Sequence, residues 1–185
     1  MSSKQISVCL FCGSRPGDNP AFLREAKNFG TGLATRGHRL VYGAGDRGLM
    51  GAAAQACQDA RGAVTGVIPQ HLVDAEIGKE DLDEYVVVGT MHERKMLMFE
   101  RSDAIVALPG GPGTLDELME VLTWRQLGLH KRPVMLINVD GYWDPLLGLI
   151  DHIIGHGFAD QGFRDLMMPV PTAEDAIITI EAAVS

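Results

Sequence analysis

Cysteine is scarce in this chain, and basic residues are outnumbered by acidic ones. Three cysteines in 185 residues, an odd number, fit a reducing compartment better than a disulfide framework. Sixteen lysines and arginines face 24 aspartates and glutamates, giving a formal net charge of −8 and a pI near 5.1. Broad binding to nucleic acid or to an anionic membrane needs a basic face that releases counterions, so the expected partner is a small molecule. No apolar stretch reaches membrane-spanning length, and Met1-Ser2-Ser3-Lys4-Gln5 leads into a strand-like segment without a charged-then-apolar leader; a cytoplasmic location is expected. Internal repeats and low-complexity linkers are also missing.

What the chain does have is 46% hydrophobic residues and 22 glycines, enough apolar material for one α/β domain over residues 1–185. Short runs rich in Val, Ile and Leu at 6–11, 39–42, 64–68, 85–88, 105–108 and 134–137 alternate with helical patterns. Strands that are apolar on both faces belong to a parallel sheet covered by helices on each side, so a Rossmann-like doubly wound sheet is expected. Asn19 before Pro20, Thr90 with Glu93, and Thr172 with Asp175 mark helix starts. In such a sheet the ligand lies beyond the C-terminal strand ends, which directs attention to the loops that follow the strands.

Three of those loops carry glycine. Cys12-Gly13-Ser14-Arg15-Pro16-Gly17 follows the first run; Gly13 allows close backbone approach and Ser14 offers a hydroxyl to a phosphate, although an ordinary βα loop looks the same. Gly43-Ala44-Gly45-Asp46-Arg47-Gly48 matches the G-x-G-x-x-G dinucleotide fingerprint ahead of a helical stretch at 49–60. An NAD site of that type wants an acid at the end of the next strand, and here that strand ends Val67-Ile68-Pro69-Gln70, so glycines for a tight turn explain the loop adequately. The third is Pro109-Gly110-Gly111-Pro112-Gly113-Thr114, a glycine turn that runs into a helix-like stretch at 115–120. A strand, a glycine turn and a helix N-terminus aim unpaired amides and the positive end of a helix dipole at one point, which suits a phosphate. Asp116 and Glu117 are expected in the first helical turn, exposed on the rim, and an acid beside a phosphate cradle suggests chemistry on a phosphorylated sugar. Arg94 and Lys95, in Met91-His92-Glu93-Arg94-Lys95, stand near a helix start where cations are unfavourable, which an anionic partner explains better than local helix stability does; the alternative is a solvated basic face paired with Glu93 or Glu100.

The run Pro109-Gly110-Gly111-Pro112-Gly113-Thr114-Leu115-Asp116-Glu117 resembles the PGGxGTxxE signature of the Lonely guy family, cytokinin riboside 5′-monophosphate phosphoribohydrolases once labelled possible lysine decarboxylases. Met91 through Lys95 is similar to that family's second motif, as are Cys12-Gly13-Ser14 and the segments around Val41-Tyr42-Gly43 and Gly48-Leu49-Met50-Gly51; the likeness covers residues 6–157. Ala44 stands where the family commonly has glycine. The resemblance implies that Arg94 and Glu117 serve catalysis, that Lys95, Thr123 and the glycine loop contact the nucleotide, and that Glu76 is a substrate-contacting carboxylate. The candidate substrate-binding run is therefore Gly111, Pro112, Gly113, Thr114, Leu115, Asp116 and Glu117, joined by Ser14, Glu76, Arg94, Lys95 and Thr123.

The implied reaction is hydrolysis of the bond between an N6-modified adenine and ribose 5′-monophosphate, adenosine monophosphate itself included among the candidates. Positive charge develops on the ribose as that bond breaks, and Glu117 can stabilise it, hold the hydroxyls or orient a water. Arg94 complements phosphate charge or assists the departing base, and both roles stay open. A homodimer is implied, with helices around the site facing the partner; Met91, Met98, Met119, Leu122 and Trp124 at helical spacing suit a core or that interface.

No cofactor and no metal is expected. His152 and His156 lie four apart without the H-E-x-x-H pattern, and Cys9 with Cys12 lacks the second pair that a zinc site needs. Two other classes compete. A nucleotide-binding or NAD-binding module would return its nucleotide intact, and a pyridoxal-dependent decarboxylase would need a Schiff-base lysine, for which only Lys95 is placed.

Overall fold

Strand segments with no polar face must be covered twice, and the chain does this by laying helices over both faces of a central sheet. The computed structural model describes residues 4–75 and 78–184. From the N-terminus the order is β1 (Ser7–Phe11), α1 (Pro20–Thr35), β2 (Arg39–Tyr42), α2 (Gly48–Asp59), β3 (Ala63–Pro69), a single-turn α3 (Gln70–Val73), β4 (Glu84–Val88) and α4 (Met91–Glu100). It continues with β5 (Ala104–Ala107), α5 (Pro112–Gln126), β6 (Val134–Ile137), α6 (Asp144–Gly155), β7 (Met168–Val170) and α7 (Ala173–Val184). The seven strands pair in the order β4-β3-β2-β1-β5-β6-β7, every pairing parallel. This is the doubly wound α/β sheet that the sequence implies.

Side-chain alternation along each strand splits the core in two. Val8 and Leu10 of β1 pack with Phe29 and Leu33 of α1, Ala53 of α2 and Ile177 of α7 on one face. Cys9 and Phe11 pack on the other, with Met98 of α4, Leu118 and Leu122 of α5, and Ile150 of α6. Both layers are closed to solvent, which is why the strands read as unbroken apolar blocks.

Helix starts follow the capping chemistry. Asn19 Oδ1 accepts from the Ala21 N–H at 2.9 Å with Pro20 at the first helical position. Thr90 and Glu93 close a reciprocal capping box, and Thr172 Oγ1 accepts from the Asp175 N–H at 3.2 Å. Two elements depart from the sequence reading. β7 is a seventh strand, short and containing Pro169, a residue tolerated because β7 is an edge. α5 opens at Pro112 with Gly111 as its N-cap, three residues ahead of the helix-like stretch, so Asp116 and Glu117 stand in the second turn and the first holds no acid. Pro112 pre-sets the backbone angle and needs no donor there, and the Leu115 N–H already reaches the Gly111 carbonyl at 3.1 Å.

From β1 the chain winds outward through β2 and β3 to β4, then returns over the sheet through α4 to β5 on the other side of β1. The C-terminal ends of β1 and β5 therefore lie at the point where the winding reverses, and a crevice opens between their loops.

Candidate active site

The crevice is a cavity of about 570 Å³, a size suited to a mononucleotide-scale ligand. Its floor is stitched from two loops. The Gly13 N–H donates to the Pro109 carbonyl at 3.0 Å, and the Gly13 carbonyl accepts from the Leu49 N–H at 3.0 Å. Gly110 has no room for a side chain, because a Cβ would come within 2.1 Å of Thr114 Oγ1 and 2.9 Å of the Gly13 nitrogen. At Gly111 and Gly113 the reverse holds: a Cβ would meet nothing within 4 Å. The N–H groups of Gly111, Gly113 and Thr114 have no hydrogen-bond partner among the described residues, and no side chain caps α5. Three free donors and a helix dipole thus face open space, the arrangement that binds an anion.

Arg94 and Glu117 border the same cavity from α4 and α5. Neither sits on an exposed rim, since their relative exposures are 6% and 7%. Arg94 Nε donates to the Val67 carbonyl at 3.1 Å and Nη2 to the Gly43 carbonyl at 2.6 Å. Two carbonyls from β3 and the loop after β2 therefore fix the plane of the guanidinium, and burial, not a favourable helix position, sets its placement. Burial also raises the Glu117 carboxyl to about 7, with the nearby Arg94 charge pulling partly the other way. A carboxyl poised there exchanges protons at neutral pH, which fits it for acid–base work. No described residue donates a hydrogen bond to Glu117, so its oxygens are left for a ligand or a water.

Other candidates distribute as follows. Ser14, Gly111, Pro112, Gly113, Thr114 and Asp116 line the cavity together with Arg94 and Glu117. Lys95 does not; its Nζ is buried between Asp116 Oδ2 at 2.9 Å and Glu120 Oε2 at 2.6 Å, bolting α4 to α5 directly behind the Arg94 and Glu117 pair. Burial pulls the Lys95 ammonium down, but the hydrogen bonds to Glu120 and Asp116 outweigh it and hold the ammonium above its ordinary value. Leu115 and Thr123 face a separate shallow groove on α5 shared with Met119 and Trp124, and Thr123 Oγ1 donates back to the Met119 carbonyl. Glu76 lies outside the described residues. Cavity residues that sequence reasoning missed are Phe22 and above all Tyr142, which follows β6 in a loop whose signal is its position after a strand end.

The fingerprint loop at 43–48 is occupied by the protein itself. A Cβ on Gly43 would lie 1.8 Å from Arg94 Nη2, and Gly48, at φ 62°, packs against the Ser14 and Arg15 backbone. Ala44 also adopts a positive φ, 56°, which explains the glycine common at that position in the resembling family. All three thiols are buried, and burial raises Cys57 to about 11 and pushes Cys9 and Cys12 up as well. The His152 and His156 rings meet at a 44° tilt with centroids 4.1 Å apart, and the described residues contain no group of three or more metal-ligating side chains. Among the described residues no helix is long and apolar enough to cross a membrane.

A doubly wound α/β sheet with an open amide cradle at its switch point, flanked by a buried acid and a buried arginine, places the chain among the α/β proteins that open their site where the winding reverses. The family model described as possible lysine decarboxylase matches residues 50–180. The chain is 45% identical over 182 residues to a cytokinin riboside 5′-monophosphate phosphoribohydrolase of Arabidopsis thaliana, covering 98% of this chain and 80% of that protein. It is 44% identical over 174 residues to one of Oryza sativa subsp. japonica, covering 94% and 72%. Among solved structures it is similar to the molybdenum cofactor binding protein of Rippkaea orientalis, with a TM-score of 0.75 at 20% identity over 98% of this chain and 99% of that one. The molybdenum cofactor carrier protein of Chlamydomonas reinhardtii gives 0.74 at 22% identity over 97% and 98%; both likenesses concern the fold. The chain belongs to the Lonely guy family of possible lysine decarboxylases.

Proposed function

We propose that this chain is a phosphoribohydrolase that cleaves the N-glycosidic bond of N6-modified adenosine 5′-monophosphates, releasing the free base and ribose 5-phosphate. The observation that carries this reading is the spacing along α5: free amides at Gly111, Gly113 and Thr114, then the Glu117 carboxyl one turn further, all opening into one cavity. One turn is about 5 Å along the axis, the scale of a ribose and its 5′ methylene. The phosphate docks on the amides, with Ser14 beside it, and the sugar then lies against Glu117.

As the bond breaks, its electrons leave with the base and positive charge spreads over the anomeric carbon and ring oxygen. The Glu117 carboxylate stabilises that charge and orients a water; the water adds to the anomeric carbon and gives its proton to Glu117, the base takes up a proton from solvent as it departs, and Glu117 returns its own to solvent to close the cycle. Arg94, fixed by two carbonyls, keeps part of the Glu117 population ionised and offers positive charge to the bound anion. Remote phosphate binding positions the ribose, so unphosphorylated ribosides react poorly. No resident metal or cofactor enters this scheme.

A homodimer in the cytoplasm is part of the same reading. α4 and α5, tied through Lys95, expose Met96 on α4 and Leu115 in the α5 groove that holds Thr123 and Trp124, and a second copy covering these helices would bury them. The decisive assay mixes the protein with adenosine monophosphate and several N6-substituted analogues and separates the products by chromatography. Equal yields of free base and ribose 5-phosphate are expected; recovery of intact nucleotide in every case would leave a carrier or binding module instead.

A further inference from the structure

Three consecutive carbonyls run along the back of the 109–114 loop, and they are not held alike. The Pro109 carbonyl accepts from the Gly13 N–H at 3.0 Å and the Gly111 carbonyl from the Leu115 N–H at 3.1 Å, both backbone donors. The carbonyl between them, Gly110, accepts from a side chain: the Tyr142 hydroxyl at 2.5 Å, reaching in from the segment after β6. In a trans peptide the C=O and the following N–H share a plane and point opposite ways. A donor on the Gly110 carbonyl therefore fixes the direction of the Gly111 N–H, one of the three amides free of any described partner. Without it this peptide is the least restrained of the loop, since glycine flanks it on both sides and a Cβ on Gly111 would touch nothing within 4 Å.

Tyr142 is 38% exposed, and two neighbouring rings brace it. Its ring packs edge-on against Phe22, with centroids 5.4 Å apart, and against Trp143 at 5.1 Å. The turn before it, with Asp140 and Gly141 at φ 49° and 76°, is tied to the start of α1 by the Asn19 side-chain amide donating to Asp140 Oδ2 at 2.7 Å. A hydroxyl on a ring so braced costs little further ordering when it holds the loop.

We propose that Tyr142 is a positioning residue for the anion cradle: its hydroxyl locks the peptide between Gly110 and Gly111 so that the Gly111 N–H is aimed before the phosphate arrives. The inference rests on the proposed handling of a phosphorylated substrate. Tyr142→Phe tests it, because the variant keeps the ring and both aromatic contacts and loses only the donor. Calorimetric titration with inorganic phosphate is expected to show a Kd raised about 5–10-fold, the worth of one hydrogen bond. KM for adenosine monophosphate rises by a similar factor while kcat stays within about two-fold and Tm within about 2 °C. A phosphate Kd unchanged in the variant overturns the inference. So does a fall in kcat at constant KM, which would put the hydroxyl at the reacting atoms, or a Tm lowered by more than about 10 °C, which would assign it to the fold. A wild type that neither binds phosphate nor cleaves a nucleotide removes the functional reading and this inference together, whereas a wild type that does both beside an unaffected variant removes this inference alone.

Discussion

The loop after β2 and the loop after β5 look alike as strings of glycine, yet one is filled by protein and the other is empty. At 43–48 the space opposite the glycines belongs to the Arg94 guanidinium, the Met50 side chain and the Ser14 backbone, and the Leu49 N–H in the first turn of α2 is engaged by the Gly13 carbonyl. At 109–114 a Cβ on Gly111 or Gly113 would meet nothing within 4 Å, and the Gly111, Gly113 and Thr114 amides have no partner among the described residues. A glycine motif says that backbone must come close to something; what stands opposite decides whether that something is a ligand. Here the better match to a dinucleotide fingerprint is the structural loop, and its service to function is indirect, through the arginine it seats.

The largest effect that sharpens this contrast comes from the acid beside the open loop. Glu117→Gln is expected to lower kcat by about 10²–10³, measured as initial rates of base release, as loss of transition-state electrostatics does. The same variant should gain stability at pH 8. The native Glu117 prefers its proton, with a folded value of about 7 against an ordinary 4.5, so its contribution is fully present below the ordinary value and is lost as pH rises toward 7. The full cost is on the order of 3 kcal/mol, and denaturant melts at pH 8 should return about 1–2 kcal/mol of it in the glutamine variant. In the wild type, kcat/KM rises through about pH 7 if the ionised form is the active one.

Next come paired substitutions in the two loops. Gly43→Ala places a methyl on the Arg94 guanidinium, so chemical denaturation should show a loss of about 2 kcal/mol and activity should fall about 10–100-fold. Gly111→Ala meets no protein atom, so stability should stay within about 0.5 kcal/mol while phosphate affinity falls about 10-fold by titration. Equal stability losses at both positions would break the distinction. Smallest is Ala44→Gly, which relieves a left-handed alanine and should raise stability by about 0.5–1 kcal/mol in the same melts, with activity unchanged.

The sheet was legible because buried parallel strands announce themselves as apolar blocks; 39–42 and 134–137 coincide with β2 and β6. Caps at Asn19, Thr90 and Thr172 were legible because their chemistry is local. β7 was not, since three residues with a proline give no period. The burial of Glu117 was also hidden: reading α5 as beginning at 115 put the acid at a solvent-facing start, whereas Pro112 begins the helix and turns Glu117 inward. The pairing of Lys95 with Asp116 and Glu120, and of Tyr142 with Gly110, spans more than 20 residues, and no local pattern encodes such contacts. In each case the missing information was tertiary.

The most direct measurement is a crystal structure of the Glu117→Gln variant soaked with adenosine monophosphate. Phosphate oxygens are expected at about 3 Å from the Gly111, Gly113 and Thr114 nitrogens, with the anomeric carbon facing residue 117. A phosphate seated instead on the 43–48 loop, or a ribose turned away from residue 117, would contradict the account.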